Sequence, residues 1–598
     1  MKSFEFSHWD LSDANKGLLF FAQSLEEMLF HFGHDSLKVP ALNFRFLCIE
    51  ILTTIEKIDE EIIDKGNMRP LFEELRNFYE HDPIAKYLFG DEFLSLFFSK
   101  NAEGEIDRNC SEIYKNPGSD ISIKQIKRVV EYFINDMGLC DKYFSELKQR
   151  ITDTIKAQPF TIQEQAALYK MSKILLTELI NRTYSQEYIY WVVNDVFYNH
   201  QRLVDNIDGI LNLFWSHFDF QEKEYTVILP LKVALFKKHL SHFQNVSIRN
   251  NTDGLFGHSC KWVVELNVEA MDQYIAQTNA ITLISFFTSL LQYNNHRSQS
   301  YSANKAIVSL NETGQVYNLE TPLMPIRRGN VLSDEKNNEK IASMVNNFAF
   351  SPGKLVNVIE LHASAINSND VPNQLLNLWT IIEVLIPTEP KNSFSKINQI
   401  CNVVTTVLNS QYVFSLLSQF FSDLHNCIPN AIEEQLANVT EGNNNIEKLA
   451  AVLVLRKYQT KYTNIIRALA SYPILQYRAE HYSDIFSNRN QLKDFLVEHR
   501  KRLSWHIMRI YRNRNMIVHD GSHFPYIDII VQNLHYYVDS LIDTINLYAG
   551  KGYSSIKTIY TALQQKEYQY LLALEKKESD GSPKKVEDDY VSVVLGYM

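Results

Sequence analysis

Cysteine is scarce in this sequence and never paired by spacing. Cys48, Cys110, Cys140, Cys260, Cys401 and Cys427 lie far apart, with no C-x-x-C and no Cys/His run. That leaves no zinc-finger pattern and fits buried free thiols in a reducing compartment. Glycine is thin, 19 among 598 residues. No G-x-x-x-x-G-K-[ST] or G-x-G-x-x-G loop occurs, and the Gly-Lys of GKGYSS (550–555) lacks the upstream glycine that a phosphate loop requires. H-E-x-x-H and G-x-S-x-G are absent as well. The expectation is therefore no cofactor and no metal, with nucleotide, zinc-protease and serine-hydrolase chemistry set aside. Uncharged apolar runs such as ITLISFFTSLL fall short of the roughly 18 residues that span a bilayer. The first ten residues, MKSFEFSHWD, have no apolar signal core. No membrane partner and a cytoplasmic location are expected.

What is present is 45% hydrophobic residues, enough for a large core and more than one domain. Phe44, Leu47, Cys48, Ile51, Ile55, Ile58 and Ile62 form one helical stripe after Pro40, and Ile126, Val129, Val130, Phe133 and Met137 form another that stops at Gly138. Thr161 and Glu164 read as a capping box. The middle of the chain changes character. YTVILPL (225–231) and KWVVELNV (261–268) are rich in β-branched and aromatic residues, and 305–320 reads as a hairpin turning at Asn311 to Gly314. A helix is expected between them from EAMDQYIAQTNAITLISFFTSLL. The polar stretch 329–341, GNVLSDEKNNEKI, reads as a loop. Helical patterning returns at about 353. The expected class is mainly α with a small α+β middle domain. The expected domains are 1–215, 216–345, 353–550 and a 551–598 extension whose residues 578–589 have a disordered composition; the final DYVSVVLGYM reads as a strand or a tail.

The formal charge is −11, so the surface as a whole repels polyanions and a local basic cluster is informative. One exists in HRKRLSWHIMRIYRNRNMIVHDG, 499–521: Arg500, Lys501, Arg502, Arg509, Arg512 and Arg514, with no acidic residue between His499 and His519. Such a run either holds a polyanion such as RNA or is a helix face paired with acidic neighbours elsewhere. Arg512, Asn515 and His519 share one face at helical spacing, whereas Arg514 lies about 140° from His519 on an ideal helix. Arg514 and His519 converge only if the helix loosens near Gly521 or if a second copy shares the groove. A cation, an amide and a titratable imidazole suit RNA cleavage. The 2′-hydroxyl is RNA's own nucleophile, His supplies acid or base near neutrality, and Arg stabilises the phosphorane charge.

RNMIVH (514–519) resembles the R-x4-6-H motif of the HEPN superfamily of helical ribonucleases, with the polar Asn515 after the arginine, and Arg512 to His519 fits at the longest spacing. The resemblance covers about residues 353–550 and is closest to the Apea-like HEPN domains of bacterial anti-phage proteins. It implies a C-terminal HEPN bundle of four or more helices and a homodimer with two facing motifs. It also implies a metal-independent endoribonuclease leaving 2′,3′-cyclic phosphate ends, with tRNA the first substrate to try. Arg514, Arg512, Asn515 and His519 would be catalytic, and Glu383 in NQLLNLWTIIEVLIP would face the motif. Arg500, Lys501, Arg502 and Arg509 would bind RNA. Gly521 stands where the toxin subfamily has a tyrosine. The alternative is an inactive HEPN fold that binds RNA or protein within a defence complex. In the nuclease reading residues 1–350 would be a sensor or regulator that keeps the enzyme silent until a phage-derived trigger or regulatory partner releases it. Arg500 with His506 is a weaker match. Glu383, in an apolar helix, needs a partner, with Arg512 or Arg514 the expected one. Trp379 is expected in the core, Trp505 and His506 at the surface, and Arg327 and Arg328 in a solvated loop.

Overall fold

A computed structural model of the chain describes residues 6–30, 34–90, 112–201, 203–231, 246–257, 260–296, 305–320, 334–347, 352–368, 370–386, 393–575 and 589–596. The fold is mainly α with one small antiparallel sheet. Two compact units divide the chain. One comprises 178–199 and 208–324; the other gathers 1–177, 200–207 and 325–598. The boundary expected at 215 falls differently, because the helices Gln186–Phe197 and Ile207–Ser216 lie mainly with the sheet. The N-terminal helices and the C-terminal bundle, expected as separate domains, form one unit.

The smaller unit is built on β1 (Lys223–Leu231), β2 (Val246–Asn250), β3 (Trp262–Ala270), β4 (Lys305–Leu310) and β5 (Val316–Glu320), in the order β2-β3-β1-β4-β5 with every pair antiparallel. Tyr225, Val227, Leu229 and Leu231 alternate inward along β1, as the two-residue period of a strand dictates. They meet Ala276, Ala280 and Ile284 of the long helix Gln273–Asn295. The Asp272 carboxylate caps that helix, accepting from the Tyr274 and Ile275 amides at 2.8 and 3.0 Å. The β4–β5 hairpin turns where expected, with Gly314 at φ +70° and its amide donating to Leu310 O. The edge strand β2 was not expected.

In the larger unit, α1 (Phe44–Asp59) carries the N-terminal stripe as far as Ile58, with Ile62 beyond its end, and α2 (Met68–His81) follows it. α3 (Asp334–Asn347) stands where a polar loop was expected. Its side chains dock on α8 (Ile527–Gly550) through polar contacts: Lys340 with Asp543 at 2.7 Å and Asn347 with Asn546 Oδ1 at 2.9 Å. Between them in the chain come α4 (Pro352–Asn367), α5 (Val371–Leu385), α6 (Ser393–Cys427) and α7 (Arg489–Asp520). Asp370 caps α5, accepting from the Asn373 amide at 3.0 Å. Within α6, Lys396–Cys427 is long and apolar enough to cross a membrane by length and composition, but two thirds of its most apolar stretch is buried in the protein. It is a core helix packed on α7 and α8. After α8 come α9 (Ile556–Leu574) and α10 (Tyr590–Leu595). The final segment is thus a short docked helix rather than a strand or free tail, with Tyr590 buried and its hydroxyl donating to Phe486 O at 2.9 Å. Residues 578–588 and Arg327 and Arg328 lie outside the described residues.

Candidate functional site

α7 is the helix that carries the basic run. The Asn488 side chain caps its start, accepting from the Asn490 and Gln491 amides at 2.9 and 3.1 Å. It runs helically through Asp520 and stops at Gly521, φ +67°, whose amide donates to Ile517 O at 3.2 Å. The helix does not loosen before His519. Arg514 and His519 therefore stay about 140° apart around the axis and about 7.5 Å apart along it.

Two of the candidate arginines are not available to a substrate. Arg509 and Arg512 are buried and ion-paired with the N-terminal helices. Arg509 Nε lies 2.9 Å from Glu50 Oε2 and its Nη2 2.6 Å from Glu74 Oε2; Arg512 Nη2 lies 2.6 Å from Glu50 Oε1. Burial pushes the Glu50 carboxyl up, but Arg509 and Arg512 outweigh it and hold Glu50 below its ordinary value. At Glu74 burial wins over Arg509, and the carboxyl is raised. Arg509 is held well above the ordinary guanidinium range, because its two carboxylates outweigh burial. The expectations of Arg509 as an RNA contact and of Arg512 as a catalytic group are corrected accordingly: both cations are spent inside the core. α1 runs alongside, and Lys57, seven residues after Glu50, pairs with Asp520 at 2.8 Å.

The rest of the run is partly neutralised too. Arg500 pairs with Glu567 at 2.6 Å, a carboxylate that also accepts from the Thr406 hydroxyl at 2.7 Å. Lys501 pairs with Glu498 at 2.6 Å. Among the described residues Arg502 and Arg514 take no ion pair. Arg514 Nη1 donates to Asn515 Oδ1 at 3.2 Å. Arg514 also lines a cavity of about 190 Å³ with Glu383, Lys396, Ile397, Ile400 and Tyr511. The structure thus brings Glu383 and Arg514 to one cavity. The partner expected for Glu383 is corrected, however: Lys396 pairs with it at 3.0 Å, and Trp379 Nε1 donates to it at 3.0 Å. Trp379 is in the core, as expected. Trp505 is buried rather than at the surface, and His506 Nδ1 lies 3.2 Å from the Tyr537 hydroxyl. His519 is exposed in the last turn and makes no hydrogen bond among the described residues. Asn515 is buried. Asn513 holds the following loop in place, its Oδ1 accepting from the Phe524 amide at 3.1 Å.

One group has metal-ligand character, although the sequence led to no metal being expected. His362, His535 and Asp539 converge, with all three donor atoms within 4.8 Å of one another. The signal available in the sequence was the four-residue step from His535 to Asp539, which places both on one helix face; His362 is 173 residues away from His535.

No protein-family model matches the chain, and neither a curated protein nor a solved structure matches it.

Proposed function

We propose that the chain is an endoribonuclease of the HEPN kind, with Arg514, Asn515 and His519 as its reacting group. One observation carries this reading. Along α7, carboxylates pair with Arg500, Lys501, Arg509 and Arg512, whereas both ends of the R-x4-H motif, Arg514 and His519, have no ion-pair partner among the described residues. A guanidinium that lines a cavity and has no carboxylate partner is available to an anion. In the reaction the 2′-hydroxyl attacks the neighbouring phosphorus and the bond to the 5′-oxygen breaks. His519 takes the proton from the nucleophile or gives one to the leaving oxygen, and Arg514 offsets the charge on the phosphorane. The products carry 2′,3′-cyclic phosphate and 5′-hydroxyl ends. Because a straight α7 keeps Arg514 and His519 on different faces, the complete site is composed of two copies, Arg514 of one meeting His519 of the other. The reading extends to a cytoplasmic defence protein that cleaves RNA, tRNA being the first to try, when a phage component releases it.

A second reading is favoured by the burial of Arg509 and Arg512, which removes much of the expected basic face. In it the bundle binds RNA or protein without cutting. The test is incubation of total cellular RNA with wild type and His519→Ala in EDTA, with and without phage-infected lysate, followed by end-group analysis. Cyclic phosphate ends made by wild type alone are expected. RNA retained by both proteins but cut by neither, with lysate present, overturns the nuclease reading in favour of the second.

A further inference from the structure

His362 stands on α4, while His535 and Asp539 stand one turn apart on α8. The two imidazoles face each other through Nε2 at 3.0 Å, and their ring centroids are 5.0 Å apart. Asp539 closes the group, with Oδ1 3.2 Å from His362 Nε2 and Oδ2 3.5 Å from His535 Nε2. Three atoms with lone pairs are aimed at one small volume. A tetrahedral metal with bonds of about 2.0–2.1 Å has ligand–ligand edges of about 3.3–3.4 Å; the two imidazole nitrogens are 3.0 Å apart, each has a different Asp539 oxygen at 3.2 or 3.5 Å, and one ligand atom from each residue lies within 4.8 Å of the others. The i, i+4 spacing lets one helix supply two ligands, and α4 supplies the third.

The geometry points to a divalent first-row cation, of which Zn²⁺ is the type, held by His362 Nε2, His535 Nε2 and Asp539. Two imidazoles and one carboxylate are a donor set for zinc or ferrous iron rather than calcium or magnesium, which prefer oxygen. Side-chain exposures of 20%, 22% and 44% for His362, His535 and Asp539 leave the outer side open, so the fourth position takes water or a ligand atom from solution. Bound there, the ion ties α4 to α8 inside the larger unit. The site shares no residue with the Arg514 and His519 reading and does not rest on it.

The test uses the full-length chain without a histidine tag, stripped with chelator, desalted and titrated with Co²⁺ and then Zn²⁺. One Co²⁺ per chain with the visible absorption of a four- or five-coordinate centre is expected, displaced by Zn²⁺. His535→Ala and Asp539→Asn should each bind at least about tenfold more weakly, since even outer-shell partners are worth that much. His519→Ala should bind as wild type does. Asp539→Asn, at the most exposed of the three ligands, keeps the test valid if His535→Ala misfolds by circular dichroism. Zn²⁺ should also raise the Tm of wild type and not that of Asp539→Asn. Sub-stoichiometric binding by wild type, or a cobalt spectrum unchanged in Asp539→Asn, overturns the site.

Discussion

Glu50→Gln is the sharpest perturbation of the larger unit. Glu50 is fully enclosed and serves two guanidiniums, Arg509 at 2.9 Å and Arg512 at 2.6 Å. The amide keeps the volume and removes the charge. Arg509 retains Glu74, but Arg512 is left as a buried cation with no anion. Removing one partner of such a pair costs about 3–5 kcal/mol. With a urea dependence of about 3 kcal/mol per M, the unfolding midpoint should fall by about 1–2 M. Tryptophan fluorescence reads the transition, because Trp379 and Trp505 are buried in the same unit. Arg512→Met in the Glu50→Gln background should recover part of the loss, since it removes the stranded charge. Acid adds a second signature. The Glu50 carboxyl lies below its ordinary 4.5, so the unfolded chain takes up this proton first as pH falls. The stabilisation is complete above about 4.5 and drains away as pH drops through the lower folded value. Wild type should therefore lose stability in acid more steeply than Glu50→Gln. A midpoint shift below about 0.3 M, or identical acid profiles, would refute the assignment of Arg509 and Arg512 to the core.

His519→Ala should abolish RNA cleavage, by about a hundredfold or more, while leaving stability within about 0.5 kcal/mol, because the side chain is exposed. Arg514→Ala should lower kcat/KM for RNA by roughly a hundredfold to a thousandfold with an unchanged urea midpoint. Arg512→Met should move stability instead, and the reverse pattern would exchange the roles given to the two arginines. Gly521→Ala places a Cβ at φ +67° in otherwise open space, so backbone strain alone should cost about 1–2 kcal/mol in thermal or urea unfolding.

Elements governed by local chemistry were legible in the sequence. The apolar step from Phe44 to Ile58, the capping pair Thr161 and Glu164, and the β-branched runs of β1 and β3 all stand where their periods place them. The edge strand β2, VSIRN, is short and only partly buried, so no clean alternation marks it. α3 escaped because its docking is polar: Lys340, Ser343 and Asn347 meet Asp543 and Asn546, and a loop and such a helix look alike in composition. The basic run shows the limit most clearly. Whether Arg509 and Arg512 face a substrate or a carboxylate depends on residues 435 to 462 positions away. No local pattern separates Arg512 from Arg514, although one is in the core and the other lines a cavity. Separations of 173 and 177 residues likewise hid His362 from His535 and Asp539.

Those long separations also govern when the protein can exist at all. Glu50 emerges from the ribosome 459 residues before Arg509. At about 5–20 residues per second, that is a delay of about 25–90 s. Throughout it Glu50 and Glu74 are without the two arginines that pair with them in the finished fold. A chain that stops before α7 therefore lacks the cations that seal its own N-terminal half. A fragment beginning after α2 would likewise leave Arg509 and Arg512 buried without Glu50 and Glu74. The helix that supplies these counter-charges is the one that carries His519 in its last turn, so the N-terminal carboxylates are sealed only by a segment made late in synthesis.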